Sequence, residues 1–197
     1  MTDLLKSLRT WVEIDLDALD YNFNCVKESS PRNIKMLAVV KANAYGHGAV
    51  KVAKFLENKA DYLAVAATDE ALEIRKSGVN SPILLLGHIP YGDYDNVVKY
   101  DFTPTVSDFT EAKLLSDSAV KLEKTAKLHI AVDTGMSRIG FADCDESVDE
   151  IKKIKQLPNV IIEGVFSHFA AADTTDKAYT EMQISRFDSF TEKLEKA

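Results

Sequence analysis

Apolar residues gather in six short runs: Met36–Val40, Tyr62–Ala66, Ile83–Leu86, Phe102–Val106, Leu128–Val132 and Ile161–Phe166. Successive runs begin roughly 20–30 residues apart, the size of a strand plus its returning helix. Most are near-continuous rather than alternating, which suits parallel strands covered on both faces. Another short run, Trp11–Ile14, predicts an extra strand ahead of them.

Helix signals fall between the runs. Leu16, Leu19, Phe23 and Val26 recur at helical spacing behind Asp15, a candidate N-cap. Thr68 is placed to cap a helix whose first turn carries Asp69 and Glu70, the charges that a helix N-terminus favours. Gly78 and Pro82 end it. Ser107 or Asp108 caps the next helix. Another helix is expected over Glu146–Leu157, stopped by Pro158. A last one runs from about Thr175 to the end.

This pattern fits two architectures, a doubly wound open sheet or a (β/α)8 TIM-type barrel present as about six βα units. The open sheet usually carries G-x-G-x-x-G after its first strand, and that loop is absent. Lys41, His88, Asp133, Arg138 and His168 all fall at or just after C-terminal ends of expected strands. That is the face on which barrel sites are built, so the order favours the barrel. Six units rather than eight, and a final helix without a stop, read as a piece of a longer chain. The rival is a six-stranded open sheet complete in itself.

Composition narrows the function classes. With 46% hydrophobic and 28% charged residues among 197, the chain has enough apolar material for one folded domain. The net charge of -7 and the lack of a basic cluster argue against nucleic acid or an anionic membrane as partner. No run approaches the length needed to span a bilayer, and Met1–Thr10 lacks a secretory apolar core, so a cytoplasmic location is expected. The two cysteines, Cys25 on an expected helix and Cys144 in an expected loop, form no metal or disulfide spacing. His88, His129 and His168 match no ligand pattern either, so no metal is expected.

The sharpest chemical signal is Val39-Val40-Lys41-Ala42-Asn43-Ala44-Tyr45-Gly46-His47-Gly48. Lys41 ends an apolar strand just before a glycine-punctuated turn. An amine poorly solvated at such a rim is set to lose its proton and attack a carbonyl. The turn opens a helix, whose free N–H groups attract an anion. A lysine for a carbonyl and an anion site close by suit pyridoxal phosphate.

This stretch resembles the cofactor-lysine signature of the alanine racemase family. The opening Trp11–Leu19 with Asn22-Phe23 is similar to that family's N-terminus. Asp133-Thr134-Gly135-Met136-Ser137-Arg138-Ile139-Gly140 and Ser167-His168-Phe169-Ala170 resemble two further motifs, in the family's order and spacing. The resemblance implies a pyridoxal-phosphate barrel domain followed by a C-terminal β domain, working as a homodimer with shared sites. Residues 1–197 would then be most of the barrel only. It implies racemisation of L- and D-alanine, supplying D-alanine for the cell wall. Lys41 would anchor pyridoxal 5′-phosphate and serve as one base. Tyr45 would bind its phosphate. Arg138 would approach its phenolic oxygen and the substrate carboxylate. Leu86 would line the ring pocket, and His168 would support the network beneath the ring.

The family's second base is a tyrosine of the partner's β domain. Tyr21, Tyr62, Tyr91, Tyr94, Tyr100 and Tyr179 match no such motif, so this chain alone is expected to be weakly active or inactive, and, without the phosphate-binding loops of the late barrel units, to retain cofactor poorly. Many members also carry a carbamylated lysine that steadies the loop arginine; here that position is Ala131, and something else must orient Arg138. A noncatalytic pyridoxal-phosphate carrier on a single barrel is the alternative reading. A metal- or phosphosugar-dependent barrel enzyme is a third, for which no ligand set is seen.

Overall fold

The computed structural model describes residues 9–197. Most of the Met1–Thr10 stretch, read as lacking a secretory core, lies outside them. All six apolar runs form strands: β1 (Leu37–Val39), β2 (Tyr62–Val65), β3 (Ile83–Leu85), β4 (Thr103–Val106), β5 (Ala126–Asp133) and β7 (Val160–Phe166). Between β5 and β7 lies β6 (Phe141–Ala142), a two-residue strand with no run to announce it. Every pairing is parallel, in the order β1-β2-β3-β4-β5, with β7 beside β5 and β6 against the end of β5 at Val132 and Asp133.

Helices return the chain from each strand to the next. They are α3 (Ala49–Leu56), α4 (Thr68–Lys76), α5 (Tyr94–Lys99), α6 (Phe109–Lys121) and α7 (Asp145–Lys155). In front stands α1 (Leu16–Ser29), behind β7 stands α8 (Ala178–Glu195), and α2 (Lys41–Tyr45) is a single turn of unusual hand. Consecutive strands joined by helices and paired only in parallel are the βα repeat of an α/β barrel, here an arc of six full strands. Its core is the aliphatic layer between strands and helices, with Leu63, Ile74, Ile83, Leu115, Leu128 and Ile154 at 0% exposure. Full burial of each such side chain favours the fold by about 1.5–3 kcal/mol.

Two caps form as the sequence reads. Asp15 Oδ1 accepts the N–H groups of Asp17 and Ala18, and Asp108 Oδ1 accepts that of Glu111. A third moves by one residue: α4 is capped at Ala67, and Thr68 is already helical. The cap bonds there come from Glu70, whose longer side chain reaches back to the Ala67 N–H.

Trp11–Ile14 is not a strand. Val12 is 81% exposed and Trp11 48%, and no neighbouring strand pairs with the segment among the described residues. Its residue types suit a sheet, but a strand exists only where a partner takes its backbone hydrogen bonds. No helix among the described residues is long and apolar enough to cross a membrane.

Candidate active site

Lys41 follows β1 directly, because Val40 still donates its N–H to Ala64 O of β2 at 2.8 Å. The chain then makes a left-handed turn. Ala42, Asn43, Ala44 and Tyr45 all hold φ between 52° and 55°. Left-handed helix costs roughly 1–2 kcal/mol per non-glycine residue, so four in a row must be held from outside.

Glu70 is one holder. Its Oε1 accepts the Ala42 N–H at 2.6 Å, and its Oε2 accepts those of Ala66 and Ala67 at 2.7 and 3.3 Å. One carboxylate at the start of α4 thus ties the residue after Lys41 to the end of β2. Asn43 is another, accepting the Ala49 N–H at 2.8 Å on Oδ1. Gly46, at φ 88°, closes the turn where the backbone demands a positive φ and leaves open space around its Cα.

The turn changes one expectation. The start of α3, read as the anion site beside Lys41, opens with Gly48, Ala49, Val50 and Lys51 onto a separate groove that contains neither Lys41 nor Arg138. The left-handed hand of the turn is what separates them. It carries Tyr45, 62% exposed, to the lysine's side and sends the helix start to the other.

On the lysine's side is a cavity of about 550 Å³ at the C-terminal ends of the strands. Lys41, Tyr45, Leu86, Arg138 and His168 all line it, arriving from the ends of β1, β3, β5 and β7. The structure therefore brings all five sequence-chosen residues together. Leu37, Val39, Leu84 and Val165 supply apolar walls, and His129 reaches it from β5.

The rim is cationic. His168 has its pKa held below the ordinary 6.5, first by partial desolvation, then by the positive charges of Arg138 and Lys41. All three groups line the one cavity, which is how the two charges reach the imidazole. Replacing Arg138 by Met is expected to raise the His168 pKa toward 6.5, read from the imidazole C–H shifts in an NMR titration. A titration curve that does not move would show that Arg138 and His168 do not share the cavity.

The loop carrying Arg138 has its own supports. Asp133 Oδ1 accepts the N–H groups of Gly135 and Ser137, both at 2.9 Å. Ala131 is buried against the cavity, and its side chain offers no polar atom to the arginine. The remaining supports come from behind, from α8. Tyr179 donates its hydroxyl to Gly135 O at 2.8 Å, and Arg186 grips both oxygens of Asp143 at 2.5 and 2.6 Å. That guanidinium holds the Asp143 carboxyl below its usual 3.8.

Two of the other histidines face carboxylates. His88 pairs with Glu111, which also accepts the Ser107 N–H and hydroxyl. His129 lies 3.6 Å from Glu163, in a cluster where Tyr62 donates to Glu163 and meets the Thr103 hydroxyl at 2.6 Å. Burial pushes the Tyr62 phenol up to about 12, so it stays a donor there. Among the described residues no three His, Cys, Asp or Glu side chains are grouped to hold a metal ion.

Sequence reasoning missed Glu70 and Gln183. Glu70 read only as a charge favourable to a helix start. Gln183, inside α8, gave no signal at all, since a glutamine at helical spacing reads as solvent-facing.

Comparison with known proteins gives the family and the fold. The family described as "Alanine racemase, N-terminal domain" matches residues 14–197. Alanine racemase 1 of Clostridium acetobutylicum is 48% identical over 187 residues, covering 94% of this chain and 48% of that protein. The alanine racemase of Methanococcus maripaludis is 48% identical over 186 residues, covering 94% of this chain and 50% of its own length. Among solved structures, alanine racemase of Clostridium difficile 630 superposes with a TM-score of 0.94 at 42% identity, covering 96% of this chain and 50% of that one. That of Bacillus anthracis with bound L-Ala-P gives 0.85 at 40%, covering 95% and 48%. The chain thus spans about half the length of the curated relatives it matches.

Proposed function

Because this chain belongs to the alanine racemase family through its N-terminal domain, we propose that it is the cofactor-binding barrel portion of a racemase interconverting L- and D-alanine. The observation that carries this reading is the meeting of Lys41, Arg138 and His168 over one apolar-walled cavity. In a cell the activity would supply D-alanine for the cell wall from the cytoplasm.

The residues present fit pyridoxal 5′-phosphate. There is an amine for its aldehyde, a cationic rim for its anionic groups, and aliphatic walls for its ring. Lys41 would hold it covalently, Tyr45 and Arg138 would bind its phosphate and phenolic oxygen, and Leu86 and His168 would flank the ring. When bound, this group accepts the electron pair left by a Cα–H bond, which makes that proton removable.

The chain's own side chains serve one face of the substrate. Lys41 Nζ takes or returns the proton on one face of the substrate Cα. Arg138 fixes the substrate carboxylate through paired N–H bonds, which a planar guanidinium makes better than an ammonium does. The aliphatic walls keep water from the exchanged proton.

Racemisation also needs a base on the opposite face. Tyr45 is the one tyrosine lining the cavity among the described residues. Tyr179 is spent on Gly135 O and Tyr62 on Glu163. This supports a second base from a β domain, contributed by the partner in a homodimer.

Residues 1–197 alone are accordingly expected to turn over alanine about 10³-fold more slowly than a protein carrying that domain, since one positioned base is worth roughly 10²–10⁴. Formation of D-alanine, followed with a D-amino-acid oxidase, checks this. Equal rates would contradict the split of the two bases. A longer protein that binds pyridoxal phosphate yet leaves L-alanine unchanged would point instead to a noncatalytic carrier.

A further inference from the structure

The face of α8 formed by Tyr179, Gln183, Arg186, Phe190 and Lys193 runs at four- and three-residue spacing, one side of a helix. Four of these five bind the chain between Asp133 and Asp145 or the end of β7. Tyr179 takes Gly135 O, Arg186 takes Asp143, and Lys193 takes Asp145 at 2.6 Å. Gln183 is the second residue of the row and is 1% exposed.

The bonds of Gln183 are directional. Its Oε1 accepts the Ala170 N–H at 2.9 Å, which fixes which end of the amide is which. Its Nε2 then donates to His168 O at 3.0 Å and to Thr134 Oγ1 at 3.2 Å. Thr134, also 1% exposed, meets the Ser167 hydroxyl at 2.7 Å. A buried amide is costly unless its hydrogen bonds are made. All three of these bonds go to two segments distant in sequence. One is the loop leading to Arg138; the other is the strand end bearing His168.

We propose that Gln183 is a positioning residue, whose buried amide pins the Arg138 loop to the His168 strand end so that both side chains face one cavity. It touches neither cavity nor ligand and acts only through the backbone and hydroxyl it holds. Its role in binding rests on the reading that Arg138 and His168 receive pyridoxal phosphate. Its role in placement does not.

The test uses Gln183→Glu in the 197-residue protein. Glutamate keeps the acceptor for Ala170 but puts an oxygen against His168 O, so the pin is reversed at one end; because its carboxylate would itself raise the His168 pKa, Thr134→Val, which adds no charge, is read beside it. Two readouts are taken beside thermal stability. One is the His168 titration by NMR without ligand, which is set first by burial and then by the nearness of Arg138 and Lys41. The other is the dissociation constant for pyridoxal phosphate.

The expected result is a His168 pKa that rises toward 6.5 and an affinity weakened about tenfold, the scale of one lost buried hydrogen bond. Thr134→Val removes the pin from its other side and is expected to act in the same direction if Gln183→Glu does not fold. Phe190→Leu, a core change on the same helix with no hydrogen bond to either segment, is expected to lower the melting temperature without moving the titration. If Gln183→Glu and Thr134→Val lower stability yet leave the His168 titration where it was, the positioning role is overturned. If the titration moves and the affinity does not, placement stands and the assignment of this cavity to pyridoxal phosphate fails.

Discussion

Lys41→Ala is expected to abolish covalent capture of pyridoxal phosphate and, in a protein carrying the β domain, to lower turnover by roughly 10⁴-fold. The lysine sits at the end of β1 on the rim of the cavity, and the turn behind it is tied to β2 through Glu70. No other lysine lines that cavity among the described residues, so no neighbour is placed to replace it. Lys41→Arg separates charge from chemistry. An arginine keeps a positive charge beside His168 but cannot give up a proton to become a nucleophile. It should therefore lose covalent capture as fully as alanine does, while leaving the His168 pKa nearer its native position. Absorbance of the bound cofactor and the NMR titration read the two effects apart. A Lys41→Ala protein that still captures pyridoxal phosphate covalently in stoichiometric amount would remove the residue from its role.

Gly140→Ala is expected to be the most damaging small substitution in the Arg138 loop, destabilising the fold by about 3 kcal/mol or more. Gly140 holds φ 126°, and a Cβ there would stand 2.7 Å from Asp133 N, 2.9 Å from Val132 C and 3.1 Å from Ala131 C. These are backbone atoms of β5, fixed by pairing with β6 and β7. The strand cannot yield, so the loop must lift, taking Arg138 two residues away with it. Gly46→Ala is the control. It also has a positive φ, 88°, but nothing within 4 Å, so only the backbone cost of about 1–2 kcal/mol applies. Urea unfolding of both variants decides the matter. Equal losses would mean that the contact with β5 is unimportant.

Legibility of the sequence followed the range of each interaction. The six strands were readable because a strand covered on both faces must be apolar along its length, and burial leaves that mark locally. Trp11–Ile14 carries the same residue types without becoming a strand, because pairing is not a local property. Phe141–Ala142 pairs without any run, being too short to have a pattern. The hand of the Lys41 turn was hidden for a related reason. Ala-Asn-Ala-Tyr has no feature that forbids an ordinary helix, and the bonds that reverse it come from Glu70, 28 positions along.

Lys41, Tyr45, Leu86, Arg138 and His168 were legible as motif residues at strand ends, and the fold gathers them on one cavity. Glu70 and Gln183 were not. Apart from the Thr134 hydroxyl, their partners are backbone groups, which every residue possesses, so little in the sequence points to them. Ala131 shows the same limit from the other side. The sequence marks a missing support for Arg138, and only the fold reveals that α8 grips the loop through Tyr179, Gln183 and Arg186.

The most direct test of the central claim is to map where pyridoxal phosphate attaches. The 197-residue protein is mixed with the cofactor, reduced with borohydride, digested and read by mass spectrometry. The account predicts modification concentrated on Lys41, with other lysines at background and Arg138→Met weakening the yield. Label spread over surface lysines according to their exposure, with Lys41 no more modified than the rest, would contradict it.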